Sequence, residues 1–522
     1  MNAYSRLTLD DLHPMAVVAQ CLDNQWVPGG LLAGMIDDGR DLADVRPALA
    51  ADVRAEYIRA LVNSPQVVVN RAFLYNNPVV FGDFTDDGPG RDAFAKLLSS
   101  GAVVQMLLAE QGPVDPPAFL ERQEAPNYTM LAHGWGAWTG IAEEAHVHCL
   151  RYSWDDPRAN AEQIRKRLAG AFTRRAQTLV NLHGPTLAGD LGVDTDTALR
   201  IKARLADVTA RCADLAARDE FATRERLYAE FVTAPGTDPA LGRYDRDKPY
   251  VREVKELIDL AYNVNLATGL ETLALTPARA LHRTVLQEWE PVKRRSAALT
   301  AQQLAELLRG TAFDAVQETL FIDTFAKLTM RDVWDLRHSE AWAGYMTALR
   351  GLLADPLNMF GDPLRGAPAV VGAYLDLLGE TTRIATARDR PGVPRRRSRG
   401  MAVVIAVEVA GAALELEMQS GGMTVAVLGA VAAPFLTEAA KVTVRLGLRA
   451  VSARRERRTL DAALDTRTQV INGWVDSGGR FWSELVRELA DLPGMPDAQR
   501  LLAGRDAATE GDVEDEVRNA LD

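Results

Sequence analysis

The apolar positions of this chain change period along its length. Over residues 66–75, QVVVNRAFLY, β-branched and aromatic residues run together between Asn-Ser-Pro and Asn-Asn-Pro, a pattern that predicts a strand. The turn-rich FGDFTDDGPG then leads into RDAFAKLLSSG, a short helix closed by Gly101, and into AVVQMLLAE, a second strand-like run. A third strand is expected over 146–154, HVHCLRYSW. Strand, helix and strand in this order predict a parallel pair inside a small mixed α/β domain spanning 1–154. Residues 1–60 read as mainly helical, with Val45, Leu49, Val53 and Ile58 at loosely helical intervals and Pro47 marking a helix start.

From Asp156 onward the period becomes helical and stays so, which gives a helical domain over 155–387. Ile164, Leu168, Phe172 and Leu179 line one side of the first helix, and Arg158, Arg165, Lys166, Arg167, Arg174 and Arg175 line a solvated opposite side. Ile201, Leu205, Val208, Cys212 and Leu215 alternate steps of four and three, a packing seam about two heptads long. The Gly-, Pro- and Asp-rich stretch 233–249, TAPGTDPALGRYDRDKP, reads as a loop, either a linker or a mobile segment. Helical patterns resume at 250–266, 301–308 and 313–328, and again around Trp334, Trp342 and Tyr345.

The third region, 388–522, carries two Ala/Val/Gly-rich runs, 401–418 and 423–437, joined by Gln-Ser-Gly-Gly as a helical hairpin. Arg395, Arg396, Arg397 and Arg399 precede it, Arg454, Arg455, Arg457 and Arg458 follow it, and an acidic tail ends the chain. The second run is about 22 Å long as a helix, against roughly 30 Å of hydrocarbon, and Glu408, Glu415 and Glu417 interrupt the first. The hairpin is therefore expected in a protein core, with contact between its arginine flanks and an anionic membrane surface as the second reading and true insertion as the third. The expected class is α+β, predominantly α-helical, with a small α/β head, a long helical body and this hairpin.

A net charge of −12 argues against general nucleic-acid binding, while leaving room for a local basic patch. Only eight of the 59 basic residues are Lys, the usage of a GC-rich bacterial genome. Cys21, Cys149 and Cys212 lie far apart without a CxxC pair, which fits a reducing compartment, and the N-terminus lacks a signal-peptide pattern. The expected place is the cytoplasm, or the inner face of the membrane if the hairpin flanks engage lipid. No phosphate loop of the GxxxxGK[ST] type, GxSxG elbow, HExxH or kinase set is present.

Three segments hold candidate chemistry. In EEAHVHC, His146 and His148 would share one face of a strand, as two imidazoles on one metal (Zn, Fe or Ni) must, with Glu143 or Glu144 as third ligand or general base. Histidines on a half-exposed strand give the same pattern. Asn70 and Arg71, beside Asn76 and Asn77, suggest either an anion site or a buried arginine paired with Asp83, Asp86, Asp87 or Asp92. GWGAWTG loosely matches a dinucleotide loop, but Trp135 and Trp138 would crowd a pyrophosphate.

These features favour a non-enzymatic interaction or regulatory protein without cofactor, of a kind used in bacterial stress or antiviral responses, with an unspecified protein partner. A metal-dependent hydrolase at His146 and His148, with zinc as a possible metal, and a membrane-inserting effector are the alternatives. If the arginine flanks bind lipid, the protein will sediment with anionic liposomes and not with neutral ones. Replacing Arg395, Arg396, Arg397, Arg454, Arg455, Arg457 and Arg458 with Gln should then abolish the difference, and unchanged sedimentation would reject the lipid role.

Overall fold

The computed structural model describes most of residues 4–275 and 328–354, and scattered positions between 313 and 384. The hairpin, its arginine flanks and the acidic tail lie outside the described residues. Five parallel strands form one sheet: β1 (Tyr4–Leu7), β2 (Val17–Val18), β3 (Val67–Asn70), β4 (Val103–Leu107) and β5 (Val147–Arg151), in the order β1-β5-β4-β3-β2. The helices before and between the later strands are α1 (Gly29–Ile36), α2 (Leu42–Asn63), α3 (Arg71–Asn76), α4 (Pro78–Phe81), α5 (Pro89–Ser99) and α6 (Tyr128–Glu144). After β5 come α7 (Ala161–Ala176), α8 (Gly184–Leu191), α9 (Thr195–Ala217), α10 (Arg224–Phe231) and α11 (Val251–Gly269), then α12 (Met330–Arg337) and α13 (Glu340–Ala354). The described residues are thus mostly helical around one small parallel sheet.

Both faces of the sheet are covered, which is why its strands read as unbroken valine runs. Val17, Val67, Val69, Val103, Val147 and Cys149 pack on one face with α2, α5, α6, α12 and α13. The alternate residues Val18, Val68, Val104, Met106 and Leu150 meet Leu266 and Leu270 at the end of α11, with Leu168 of α7 against them. A second core collects the predicted seam, with Ile201, Leu205, Val208, Cys212 and Leu215 all buried against α10 and α11. Val254, Leu257 and Ile258 of α11 belong to that second core, so one helix is shared by the helical body and the sheet. The chain beyond α11 returns to the sheet edge, where Leu273 bridges Val17 in parallel.

The N-terminal 60 residues differ from the helical expectation, because they contribute two strands. β1 and β2 are four and two residues long, too short to show a period of their own. Helix α2 begins at Leu42, five residues ahead of Pro47, because Asp41 and Asp44 form a capping box that fixes its first turn. The strand expected over 66–75 stops at Asn70, whose side chain accepts from the Ala72 backbone N–H at 3.0 Å and turns the chain into α3.

At its other end α2 is held by a buried arginine. Arg337 donates to the carbonyls of Ser64 (2.7 Å), Pro65 (2.6 Å) and Leu61, serving the last turn of the helix where its carbonyls lack partners. Burial lowers its pKa to about 10. Trp342 adds a bond from its indole to the Val62 carbonyl at 2.8 Å.

The GWGAWTG segment is the middle of α6 and not a loop. Gly134 is where α6 crosses α3: a Cβ there would lie 2.3 Å from the Tyr75 carbonyl and 2.7 Å from the Phe81 ring. Gly136, two residues on, has nothing within 4 Å of the same position. Gly134→Ala should therefore lower stability by about 1–3 kcal/mol through overpacking, while Gly136→Ala should be neutral or stabilising by up to about 1 kcal/mol from helix propensity. Urea midpoints at unchanged slope measure both, and equal midpoints for the two variants would contradict the crossing.

Candidate anion-binding site

Strand direction decides where chemistry can gather. In open parallel sheets ligands bind beyond the carboxyl ends of the strands, where the connecting loops splay. The histidine pair lies at the other end. His146 precedes β5 and bonds Ser5 Oγ at 2.8 Å, while His148 Nε2 lies 3.1 Å from the Ser99 carbonyl just before β4. The two rings do stand on one face, 5.9 Å apart and edge-on. Glu144 turns instead to Arg91 at 2.7 Å, a bond that holds its carboxyl below the usual range, and Glu143 is exposed. Among the described residues no group of three or more His, Cys, Asp or Glu side chains is placed to hold a metal ion.

Arg71 is buried, as its apolar surroundings suggested, but neither Asp83 nor Asp92 is its partner. Asp83 is taken by Arg54, in a two-pronged pair whose longer contact is 2.9 Å. Asp92 sits in the first turn of α5, and Asp86 and Asp87 lie outside the described residues. Arg71 pairs with Glu110 at 2.9 Å and donates to the carbonyls of Pro113 (3.0 Å) and Asp115 (2.6 Å). The Trp135 ring lies 5.0 Å from its guanidinium, and Trp138 donates to the same Pro113 carbonyl at 2.9 Å. Arg71 therefore pins the loop after β4. Asn70 and Asn77 are likewise committed, each capping a short helix, and Asn77 also donates to the Leu22 carbonyl at 2.9 Å.

The carboxyl side of the sheet offers a different group. Helix α2 has 22 residues and β3 has four. Because α2 ends at the start of β3 and runs back against the strands, its N-terminal end stands roughly 15–20 Å past their carboxyl ends. There it forms a cavity of about 400 Å³ with the end of α1 and the segment 243–246. Arg40, Arg46, Arg243 and Arg246 line it, together with Asp41, Met35, Gly39, Leu42, Ala43 and Tyr244. Arg40 reaches Asp38 at 3.1 Å on the open surface. Among the described residues Arg46, Arg243 and Arg246 enter no ion pair. With Arg40 paired to Asp38, three guanidiniums are left facing Asp41, the carboxylate of the lining, which serves the start of α2.

Gly39 has φ +69, and a Cβ on it would fall 1.6 Å from Arg246 Nη2. Only glycine permits both the left-handed backbone and the close seat of that guanidinium. The segment 233–249 is anchored at its ends and does not behave as a linker. Thr233 bridges Tyr244 in antiparallel fashion, Ala234 donates to the Arg243 carbonyl at 3.1 Å, and Lys248 donates to the Thr233 carbonyl at 2.7 Å.

Beneath Tyr244 runs a buried chain of charges that joins the two cores. Lys255 of α11 pairs with Asp259 at 2.7 Å and donates to the Gln25 carbonyl at 3.0 Å. Tyr228 donates to Asp259, and Arg224 pairs with Asp23, lies 3.8 Å from Asp259 and covers the Tyr262 ring at 4.3 Å. Burial opposes the charge on Arg224 and on Lys255. Asp23 and Asp259 outweigh it and hold both pKa values above their usual range. Burial also raises the Tyr244 phenol, with Lys255 pulling the other way.

The chain matches no family model, no curated protein and no solved structure.

All three cysteines are buried, and burial pushes the thiols of Cys149 and Cys212 up to about 12 and that of Cys21 higher still. The native protein at pH 8 should therefore leave all three unreacted with a disulfide reagent over minutes, and titrate three thiols in guanidinium. A thiol that reacts within seconds in the native state would contradict this packing.

Proposed function

We propose that this is a non-enzymatic interaction protein that recognises an anion at the cavity formed by α2 and the segment 243–246. The observation that carries the reading is the set Arg46, Arg243 and Arg246, three guanidiniums without acidic partners among the described residues around one cavity. Arginine forks match the geometry of phosphate and carboxylate groups, two parallel bonds per pair. The surplus of positive charge is local to a chain whose net charge is −12, so it gives a defined site and not a basic surface. Asn70 and Arg71 are occupied inside the fold and take no part. His146 and His148 remain the place where a metal-dependent hydrolase would have to be sought, but their bonds to Ser5 and Ser99 and the diversion of Glu144 give that reading no added support.

Titration calorimetry with inorganic tripolyphosphate should show saturable 1:1 binding that weakens between 50 and 200 mM salt. The double substitution Arg243→Gln, Arg246→Gln removes two charge-assisted forks and should weaken binding about 10- to 100-fold. Both side chains are exposed, so the thermal midpoint should not move. Absence of binding at millimolar tripolyphosphate, or equal binding by the double variant, would overturn the reading.

A further inference from the structure

The two edge strands of the sheet are joined by one strap. β1 and β2 stand at opposite edges, so residues 8–16 cross β5, β4 and β3, a span of about 19 Å at the usual strand spacing. Leu9 and Leu12 of the strap pack on the crossed face with Val68, Met106 and Leu150. Its last turn then has to deliver Val17 into register with Val67. That turn is tied from several sides. Ser64 Oγ donates to the Met15 carbonyl at 2.7 Å, the His13 N–H donates to Gln66 Oε1 at 2.8 Å, and the Leu273 N–H donates to the Ala16 carbonyl at 2.8 Å. One further tie uses the histidine ring: the Met15 N–H donates to His13 Nδ1 at 3.0 Å.

We infer that His13 is an acid-sensitive latch on this strap: the neutral ring holds its last turn, and a proton on Nδ1 releases it. A backbone N–H can only donate, so Nδ1 has to keep its lone pair and the ring proton sits on Nε2. Imidazolium carries a proton on both nitrogens, and two hydrogens would then face each other across the bond from Met15. The charge that faces His13 from a neighbouring element is Arg350 of α13, which opposes a second cation. Gln66 and Ser64 are neutral. On the strap itself Asp11 is committed to the Thr8 N–H and hydroxyl, both at 2.8 Å, and Asp10 is exposed. Burial first, and Arg350 after it, hold the imidazole below its usual pKa.

The other histidine bonds respond differently to a proton. His148 Nε2 and His338 Nδ1 face the carbonyls of Ser99 (3.1 Å) and Trp334 (2.7 Å), so both donate and keep their bonds when charged. His146 faces the Ser5 hydroxyl, which can donate or accept. At His13 the folded-state pKa lies below the unfolded one. The contribution of the latch is therefore complete above about pH 6.5 and is lost as pH falls toward the folded value.

The test compares the full chain with His13→Asn, His13→Leu and Arg350→Gln between pH 5 and 8. Asparagine sets Oδ1 where the ring has Nδ1, accepts from the same N–H two residues on, and does not titrate. Leucine removes the acceptor at every pH. Hydrogen–deuterium exchange, corrected for its intrinsic pH dependence and referred to β4, reads the strap. In the native chain the amides of 15–18 and Leu273 should open at least about threefold more at pH 5 than at pH 7.5, toward the lower end of what one hydrogen bond is worth. His13→Asn should show no such change, and His13→Leu should open to the same raised extent at both pH values. Arg350→Gln, made at an exposed side chain, should move the midpoint of the native response to higher pH. A response that is the same in the native chain and in His13→Asn, whether present or absent in both, would overturn the latch. An unmoved midpoint in Arg350→Gln would overturn the part given to Arg350.

Discussion

The fold hinges on a buried chain of four charges, Asp23, Arg224, Asp259 and Lys255, threaded through the aromatic rings of Tyr228 and Tyr262. Two basic and two acidic side chains balance, and Asp23 and Asp259 hold Arg224 and Lys255 above their usual pKa range against desolvation. Such a cluster adds little net stability compared with a hydrophobic replacement, yet loss of one member leaves an uncompensated charge at a cost of about 3–5 kcal/mol. Its value is geometric. Asp23 follows β2, Arg224 opens α10, and Lys255 and Asp259 lie one turn apart on α11, so the chain fixes the exit of the sheet against the helical body.

Helix α11 is the element through which this works. Val251 to Val264 contribute to the helical core and Leu266 and Leu270 lie under the sheet, and Lys255 and Asp259 sit one turn apart within the first of these stretches. Tyr244 rests above that turn and brings Arg243 and Arg246 to the cavity. The opposite wall depends on the length of α2, which carries Arg46 well past the strands it serves. Anchoring of α2 by Arg337 and Trp342 at the far end keeps that wall in register with the sheet. The arginine cavity is thus positioned by two long helices that are each fixed at a buried point away from it.

Much of the scaffold was legible in the sequence. The valine runs of β3 and β4, the helix closed by Gly101 and the seam from Ile201 to Leu215 stand where their periods placed them. Strands β1 and β2 were not legible, since four and two residues cannot display a period, and β2 owes its place to pairing with β3. Asn70 sits inside an apolar run and reads as strand until its side chain is seen to cap a helix. The Gly-Trp segment shows why glycine spacing alone misleads, because Gly134 is required by a helix crossing and not by a ligand. The arginine cavity escaped notice for a different reason. Its residues are split between 40–46 and 243–246, about 200 positions apart, in a stretch that reads as loop. The only local sign was the Arg-Tyr-Asp-Arg alternation, which charge counting cannot separate from an ordinary solvated turn.

The most direct measurement of the central constraint is hydrogen–deuterium exchange on Asp259→Asn, which keeps the shape of the side chain and removes its charge. Arg224 would then keep Asp23, while Lys255 would be left with the Gln25 carbonyl and no acidic partner. The expected result is faster exchange, together, in the segment after β2 (19–26) and in 243–248, while β4 and β5 keep their protection. Unchanged protection in both segments would contradict the view that this buried charge chain holds the sheet, the helical body and the cavity in place.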